Sequence, residues 1–259
     1  MRQLKNKQYV KDYKYKSKFR LLSGQFGIYG DEKVFEYEEV GVSTNTMTFE
    51  DYLQTRKFSF LVEILYNSKI FSELEFFLED YNLKYNQYVL FVYKHLKDAH
   101  EDVQKVMNEI VVQSISELKN TEKSLVNYYS KKESFEKIMN GEEGGNVKYT
   151  LKALLISKYQ DVWLDFVFTC LKKFLIKSKI TVKEDEFNDI ISFTKCKFDG
   201  VLDSRRTHIN VTNSFNYDII NWINLRNKPL KKFKNKEKVK IKFSYDKNQV
   251  RERTTLFKE

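Results

Sequence analysis

A single proline, Pro229, and only eight glycines among 259 residues leave the chain with few helix breakers. That scarcity excludes a turn-rich, many-stranded β architecture and favours long helices. Two cysteines, Cys170 and Cys196, are too few for a disulfide scaffold or a thiolate metal framework, and both read as reduced thiols. Long apolar runs are also missing. The most apolar stretch, residues 151–180, is broken by Lys158, Asp161, Asp165, Lys172 and Lys173, which excludes a membrane span. The N-terminus alternates Lys with Tyr and lacks the apolar core of a signal peptide, so the expectation is a soluble, cytoplasmic protein.

What is present is a core and an uneven charge. An apolar content of 41% and an aromatic share of 15%, with 21 Phe and 17 Tyr, are enough to fold and argue against disorder. The formal charge is +10, but residues 1–20 carry eight Lys/Arg against one acid and residues 228–259 carry twelve against four. The body between these ends is therefore mildly acidic, which weakens a nucleic-acid reading of the whole fold.

Along the chain, residues 1–20 read as an exposed basic lead-in, and Gly24, Gly27 and Gly30 at every third position read as a loop. Residues 33–43 alternate Val34, Glu36, Glu38 and Val40 against Phe35 and Tyr37, with Val42 following, which predicts a strand. Thr48 with Asp51 forms a capping-box pattern, so a helix should start there and carry Leu53, Phe60, Leu61, Ile64 and Leu65 inward until Asn67-Ser68 breaks it. Helical spacing continues over 70–80, 85–105 and 106–139. The glycine cluster at 140–146 is the expected loop or hinge. A long helix follows, with Leu151, Leu155, Tyr159, Val162, Phe166, Cys170 and Phe174 on one stripe and Lys152, Asp161 and Lys172 off it. Residues 184–196 predict another helix, 197–201 a tight Asp-Gly turn, and 217–225 a short apolar segment stopped by Pro229. From 237 to 245, Val239, Ile241 and Phe243 alternate with Lys238, Lys240 and Lys242, as in a half-buried strand. The fold class expected is mainly α: a helical domain with a small β component, one strand near each end. The segments expected are a lead-in (1–20), a strand and loop (21–46), helical subdomains (47–139 and 147–227) joined by the 140–146 loop, and a basic tail with a strand (228–259).

Few residues point to chemistry. His100-Glu101 begins like a zincin helix, but position 104 is Gln104 where the second histidine should fall. His95 and His208 have no matched partners and read as packing or surface residues. Asp161 and Asp165 sit one helical turn apart, the spacing of an acid–base pair and equally of a solvated face. Arg205, Arg206 and Asp203 read as a surface group. Gly24, Gly27 and Gly30 match neither the dinucleotide nor the P-loop spacing. The tail offers Lys231, Lys232, Lys234, Lys236, Lys238, Lys240 and Lys242, interleaved with Phe233, Phe243 and Tyr245, as anion-binding candidates. Phosphate contacts and base stacking are then available, although the plainer reading is a half-buried strand whose lysines face water and guard it against aggregation.

Residues 19–67, above all VGVSTNTMTFEDY followed by RKFSF, resemble the junction after the radical barrel in cobalamin-binding radical S-adenosylmethionine enzymes. Residues 215–250, a short apolar segment with Trp222 and Leu225, a Pro-Leu step and a Lys/aromatic strand, are similar to the closing pattern of that family. The resemblance implies a C-terminal accessory region, with Glu36, Glu38, Glu39, Ser43 and Thr44 facing the barrel. It also implies that the parent enzymes use a 4Fe–4S cluster, S-adenosylmethionine and cobalamin. The family's CxxxCxxC motif is absent, so no cofactor and no catalysis are expected in this chain alone. The sequence before Phe19 is too short for a cobalamin domain or for most of a barrel of roughly 200 residues or more. The expected partner is a separately encoded barrel and cobalamin domain. The alternative is a stand-alone basic helical protein that binds nucleic acid.

Overall fold

The computed structural model describes residues 7–198 and 209–245. It is mainly α-helical, with eleven α-helices and two small antiparallel two-stranded sheets, one near each end of the chain, among the described residues. The chain divides into two compact units, residues 1–60 with 107–150 and residues 61–106 with 151–259. The division runs across the expected consecutive subdomains, because the chain passes from one unit to the other three times.

In the first unit, helix α1 (Lys7–Asp12) precedes strand β1 (Lys16–Tyr29), which pairs antiparallel with β2 (Glu32–Ser43). The basic lead-in and the glycine loop are therefore not what residues 7–30 form. Gly30, at φ 62°, takes the left-handed place in the two-residue turn between Tyr29 and Glu32, and Gly24, at φ 71°, lies in the bulge where the register shifts between Leu21 and Phe26. Glycines that mimic a loop in sequence here serve the bends of one long hairpin. A Ser/Thr-rich turn follows β2 and leads to helix α2 (Phe49–Val62). The capping box is present: Asp51 N–H donates to Thr48 Oγ1 at 3.1 Å and Thr48 N–H donates to Asp51 Oδ2 at 2.8 Å.

The chain returns at Met107, within helix α5 (Glu101–Ser116), which is followed by α6 (Glu122–Tyr129) and α7 (Lys132–Met139). Leu21 packs with Leu125, Tyr129, Phe135 and Ile138 in one cluster, and Val42 packs with Tyr52, Leu53 and Leu118 in another. Both faces of the hairpin base are thus covered. The 140–146 segment is tied to this core: Gly144, at φ 74°, lies so close to Leu21 and Phe26 that a Cβ would stand 3.0 Å from each side chain.

In the second unit a π-helical segment (Glu63–Asn67) extends the α2 path and stops at Ser68, near the expected break. Helices α3 (Ser72–Asp80) and α4 (Tyr85–Lys94) follow. The stripe from Leu151 to Phe174 is carried by two helices, α8 (Val147–Ile156) and α9 (Gln160–Lys177), with the phase reset between them. Lys152 is buried, not off the stripe: it is 1% exposed, with Nζ 3.4 Å from Glu63 Oε1. Successive helical residues lie about 100° apart, so a broadly buried face takes in the neighbour of Leu151. Tyr88 donates to the Val167 carbonyl at 2.7 Å and its ring packs on Phe174, joining α4 to α9.

Helix α10 (Glu184–Phe198) starts where expected, runs on through Lys197 and Phe198 where the turn was expected, and packs under the second hairpin, β3 (Ile209–Tyr217) with β4 (Lys234–Tyr245). Between these strands lie α11 (Ile219–Leu225) and a 3₁₀ turn (Leu230–Phe233) after Pro229. Phe193 of α10 meets Phe215 and Phe243 at ring-centroid distances of 6.0 and 5.2 Å. Val239 is 45% exposed, contrary to the expected burial. One helix is too narrow to cover the whole inner face of a two-stranded ribbon. The expected turn at 197–201 falls largely outside the described residues, and Asp203, Arg205, Arg206 and His208 lie wholly outside them. No described helix is long and apolar enough to cross a membrane.

Candidate functional site

Two surfaces carry the candidate residues. The first is the β1–β2 hairpin. Glu38 is not a free acid: it pairs with Arg20, whose Nε lies 2.7 Å from Oε1, and Arg20 also reaches Glu117 at 3.2 Å. Arg56 binds the same Glu117 oxygen at 3.1 Å and donates to Ser114 Oγ, which closes a small charged network on the hairpin base. Glu39 accepts from Ser17 Oγ at 2.5 Å. Thr44 Oγ1 accepts from the Thr46 and Met47 amides, so it builds the turn before α2, and Ser43 pairs with Lys16 at the open end of the hairpin. Glu36 remains exposed. Beyond it, the tip presents Ile28, Tyr29 and Val34 at 58%, 72% and 40% exposure. This apolar tip was hidden in the sequence by the loop-like glycines around it.

The second surface is the β3–β4 ribbon. Lys240 pairs across the ribbon with Ser214 and Lys242 with Thr212, while Phe215–Val239 and Val211–Phe243 face the other way. Alternation places Lys238 with Lys240 and Lys242, and all three are exposed. Lys231, Lys232 and Lys236 are exposed as well. Lys234 is different. The register shift between Phe215 and Tyr217 turns it toward Tyr217, where its Nζ binds Asp185 Oδ2 at 2.6 Å. Phe243, offered as a stacking ring, is buried against Phe193, and the Tyr245 side chain lies outside the described residues.

A third group is one that sequence reading missed: carboxylates that pin the C-terminal segment from its inner side. Asp189 accepts from Asn216 N at 2.6 Å, Asn216 Nδ2 at 3.0 Å and Tyr217 N at 2.9 Å. Asp80 accepts from Trp222 Nε1 at 2.8 Å and Leu230 N at 2.6 Å; Glu186 beside them accepts instead from Tyr81 Oη at 3.0 Å and ties α10 to the end of α3. Burial pushes the Asp80, Glu186 and Asp189 carboxyls above the usual range, against hydrogen bonds that pull them down. Asp185 is held below it by its hydrogen bond from Lys234. Every one of these carboxylates is engaged in holding backbone or side chains, an arrangement that fixes structure and leaves none aimed at open space. Partners up to 150 residues apart in sequence leave no local signal.

The remaining candidates follow their plain readings. His95 stacks on Phe91 with ring centroids 4.0 Å apart, and His100 Nδ1 accepts from Asp102 N at 3.2 Å in the first turn of α5. Asp161 and Asp165 are exposed, and Asp165 pairs with Lys195 at 3.0 Å. No group of three or more His, Cys, Asp or Glu that could hold a metal lies among the described residues. Cys170 and Cys196, both buried, are the only thiols in the chain, so its residues do not fit a three-cysteine cluster site. Neither a family model nor a curated protein matches this chain.

Proposed function

We propose that this chain is the C-terminal accessory region of a cobalamin-dependent radical S-adenosylmethionine enzyme, one that supports the barrel and shapes its substrate opening without catalysing a reaction alone. The observation that carries the reading is the hairpin tip. Its base is packed on both faces, yet beyond it Tyr29 and Val34 stand exposed on one face and Ile28 on the other, and exposed apolar side chains on both faces of a supported arm suit a surface that closes around its tip. The resemblance supplies the partner. Residues 19–67 coincide with most of β1, all of β2, the Thr44 turn, α2 and the π segment. Residues 215–250 take in the end of β3, α11 and β4. Residues 19–67 and 215–245 thus form regular secondary structure, which supports reading them as a barrel-side arm and a closing ribbon.

In this reading the cluster, S-adenosylmethionine and cobalamin are held by the partner, and Glu36 with the tip meets the barrel. The test is co-expression with a radical S-adenosylmethionine barrel and cobalamin protein from the same genome. The expected result is a complex that survives gel filtration and is lost in Ile28→Asp/Tyr29→Asp, whose folding is checked by circular dichroism. A folded double variant that still co-elutes would remove the tip from the interface. Failure of the wild-type chain to bind any such barrel would overturn the proposal.

A further inference from the structure

The charges of the C-terminal segment are segregated by face. Its inner side takes up Asp80, Asp185 and Asp189 in bonds to Trp222, Leu230, Tyr217, Asn216 and Lys234. Its outer side carries Lys238, Lys240 and Lys242 with Asn210, Thr212 and Ser214, all exposed. No carboxylate stands among these six positions, and none of the three lysines is in an ion pair among the described residues. Alternate residues of a strand lie about 6.5–7 Å apart. The three ammonium groups thus form a row, with hydroxyl and amide donors beside it on the neighbouring strand. Protection of a sheet edge needs charges on the edge. A row along an open face is more than that task requires.

We infer that the outer face of the β3–β4 ribbon binds a nucleic-acid duplex through its phosphates, independently of the accessory reading. Lysine, hydroxyl and amide side chains are the groups that contact phosphate oxygens and set register without reading sequence. Among the described side chains the outer face carries no aromatic platform on which single strands stack, because Phe215 and Phe243 face α10 and are buried. The surface thus suits a duplex backbone better than an unpaired strand. An acidic protein would meet the same lysines, but without the regular phosphate spacing that a row of donors matches.

The test uses the whole chain and fluorescence anisotropy with a 20-base-pair DNA duplex, an RNA duplex of the same sequence, the single DNA strand and polyglutamate. The expected result is binding to at least one duplex, tighter than to the single strand, with affinity falling as salt rises. The DNA and RNA arms tell which duplex supplies the phosphates. Lys238→Gln/Lys240→Gln/Lys242→Gln should flatten the log–log salt slope by about 0.9 per lysine and weaken binding at least about tenfold at low salt. A control that neutralises the exposed Lys94, Lys172 and Lys173 should leave both unchanged. The inference is overturned if the ribbon variant, folded by circular dichroism, binds as the wild type does. It is also overturned if the control loses as much, or if the single strand or polyglutamate is held as tightly as either duplex.

Discussion

Replacing Asp189 by alanine should loosen the whole C-terminal segment. The carboxylate is buried at 5% exposure and accepts three hydrogen bonds, two of them from the backbone amides of Asn216 and Tyr217 at the end of β3. Hydrogen bonds to a charged group contribute about 1.5–3 kcal/mol each, and an orphaned buried donor costs about 1–3 kcal/mol. These terms overlap, and removing the acid also relieves the cost of its burial, so the net loss is placed at about 3–4 kcal/mol. For a domain of 150–250 residues that corresponds to a fall in Tm of about 6–16 °C. Thermal denaturation followed by circular dichroism reads the total. Amide exchange of Asn216 and Tyr217 reads the local opening, which should precede global unfolding. The pH dependence has a definite sign. Burial raises the folded-state pKa of Asp189, so the native state holds its proton more tightly than the unfolded chain. Its contribution is complete below the unfolded carboxylate pKa and falls as pH rises through the raised folded value. The gap between wild type and Asp189→Ala should therefore widen on acidification through that window. A loss below about 1 kcal/mol with unchanged exchange at Tyr217 would refute the pinning argument, and a gap that narrows would show that the hydrogen bonds outweigh burial in setting the carboxyl's pKa.

Four further outcomes follow from other parts of the molecule. Gly144→Ala combines a left-handed φ with a Cβ 3.0 Å from Leu21 and Phe26, and should destabilise the first unit by about 1–3 kcal/mol in urea titration. Thr48→Ala should cost about 1 kcal/mol by removing the cap of α2. The Asp51 carboxyl, lowered by hydrogen bonds from the Thr48 amide and hydroxyl, gives a contribution present above the unfolded carboxylate pKa and lost as pH falls through its lower folded value, so acid titration of the wild type should show that loss and Asp51→Asn should not. Cys170, its thiol pushed up to about 12 by burial, should resist alkylation at pH 8 until the chain is unfolded, as read by mass spectrometry.

The helical class, the capped start of α2, the start of α10 and the lysine face of β4 were legible because each rests on neighbours within a few residues. The first arm of each hairpin was not. In β1, Gly24 and Gly30 serve a bulge and a turn inside one ribbon and so imitate a loop, while Phe19, Leu21, Phe26 and Ile28 gave no continuous alternation across the bulge. In β3, Asn210, Thr212 and Ser214 face outward and dilute the β signal. The carboxylate pins were invisible for a different reason: Asp80 meets Leu230, and Asp189 meets Tyr217, only once the chain is folded. The buried Lys152 shows the limit of drawing a single helical stripe through what proves to be two helices.

The most direct test of the accessory-region account begins with the DNA beside this reading frame, translated in all frames in search of a barrel-sized product with CxxxCxxC, which is then co-expressed with this chain. The account predicts that such a frame exists and that the two products co-purify as one complex. A genome with no such frame, or a barrel protein that elutes apart from the folded chain, would contradict it.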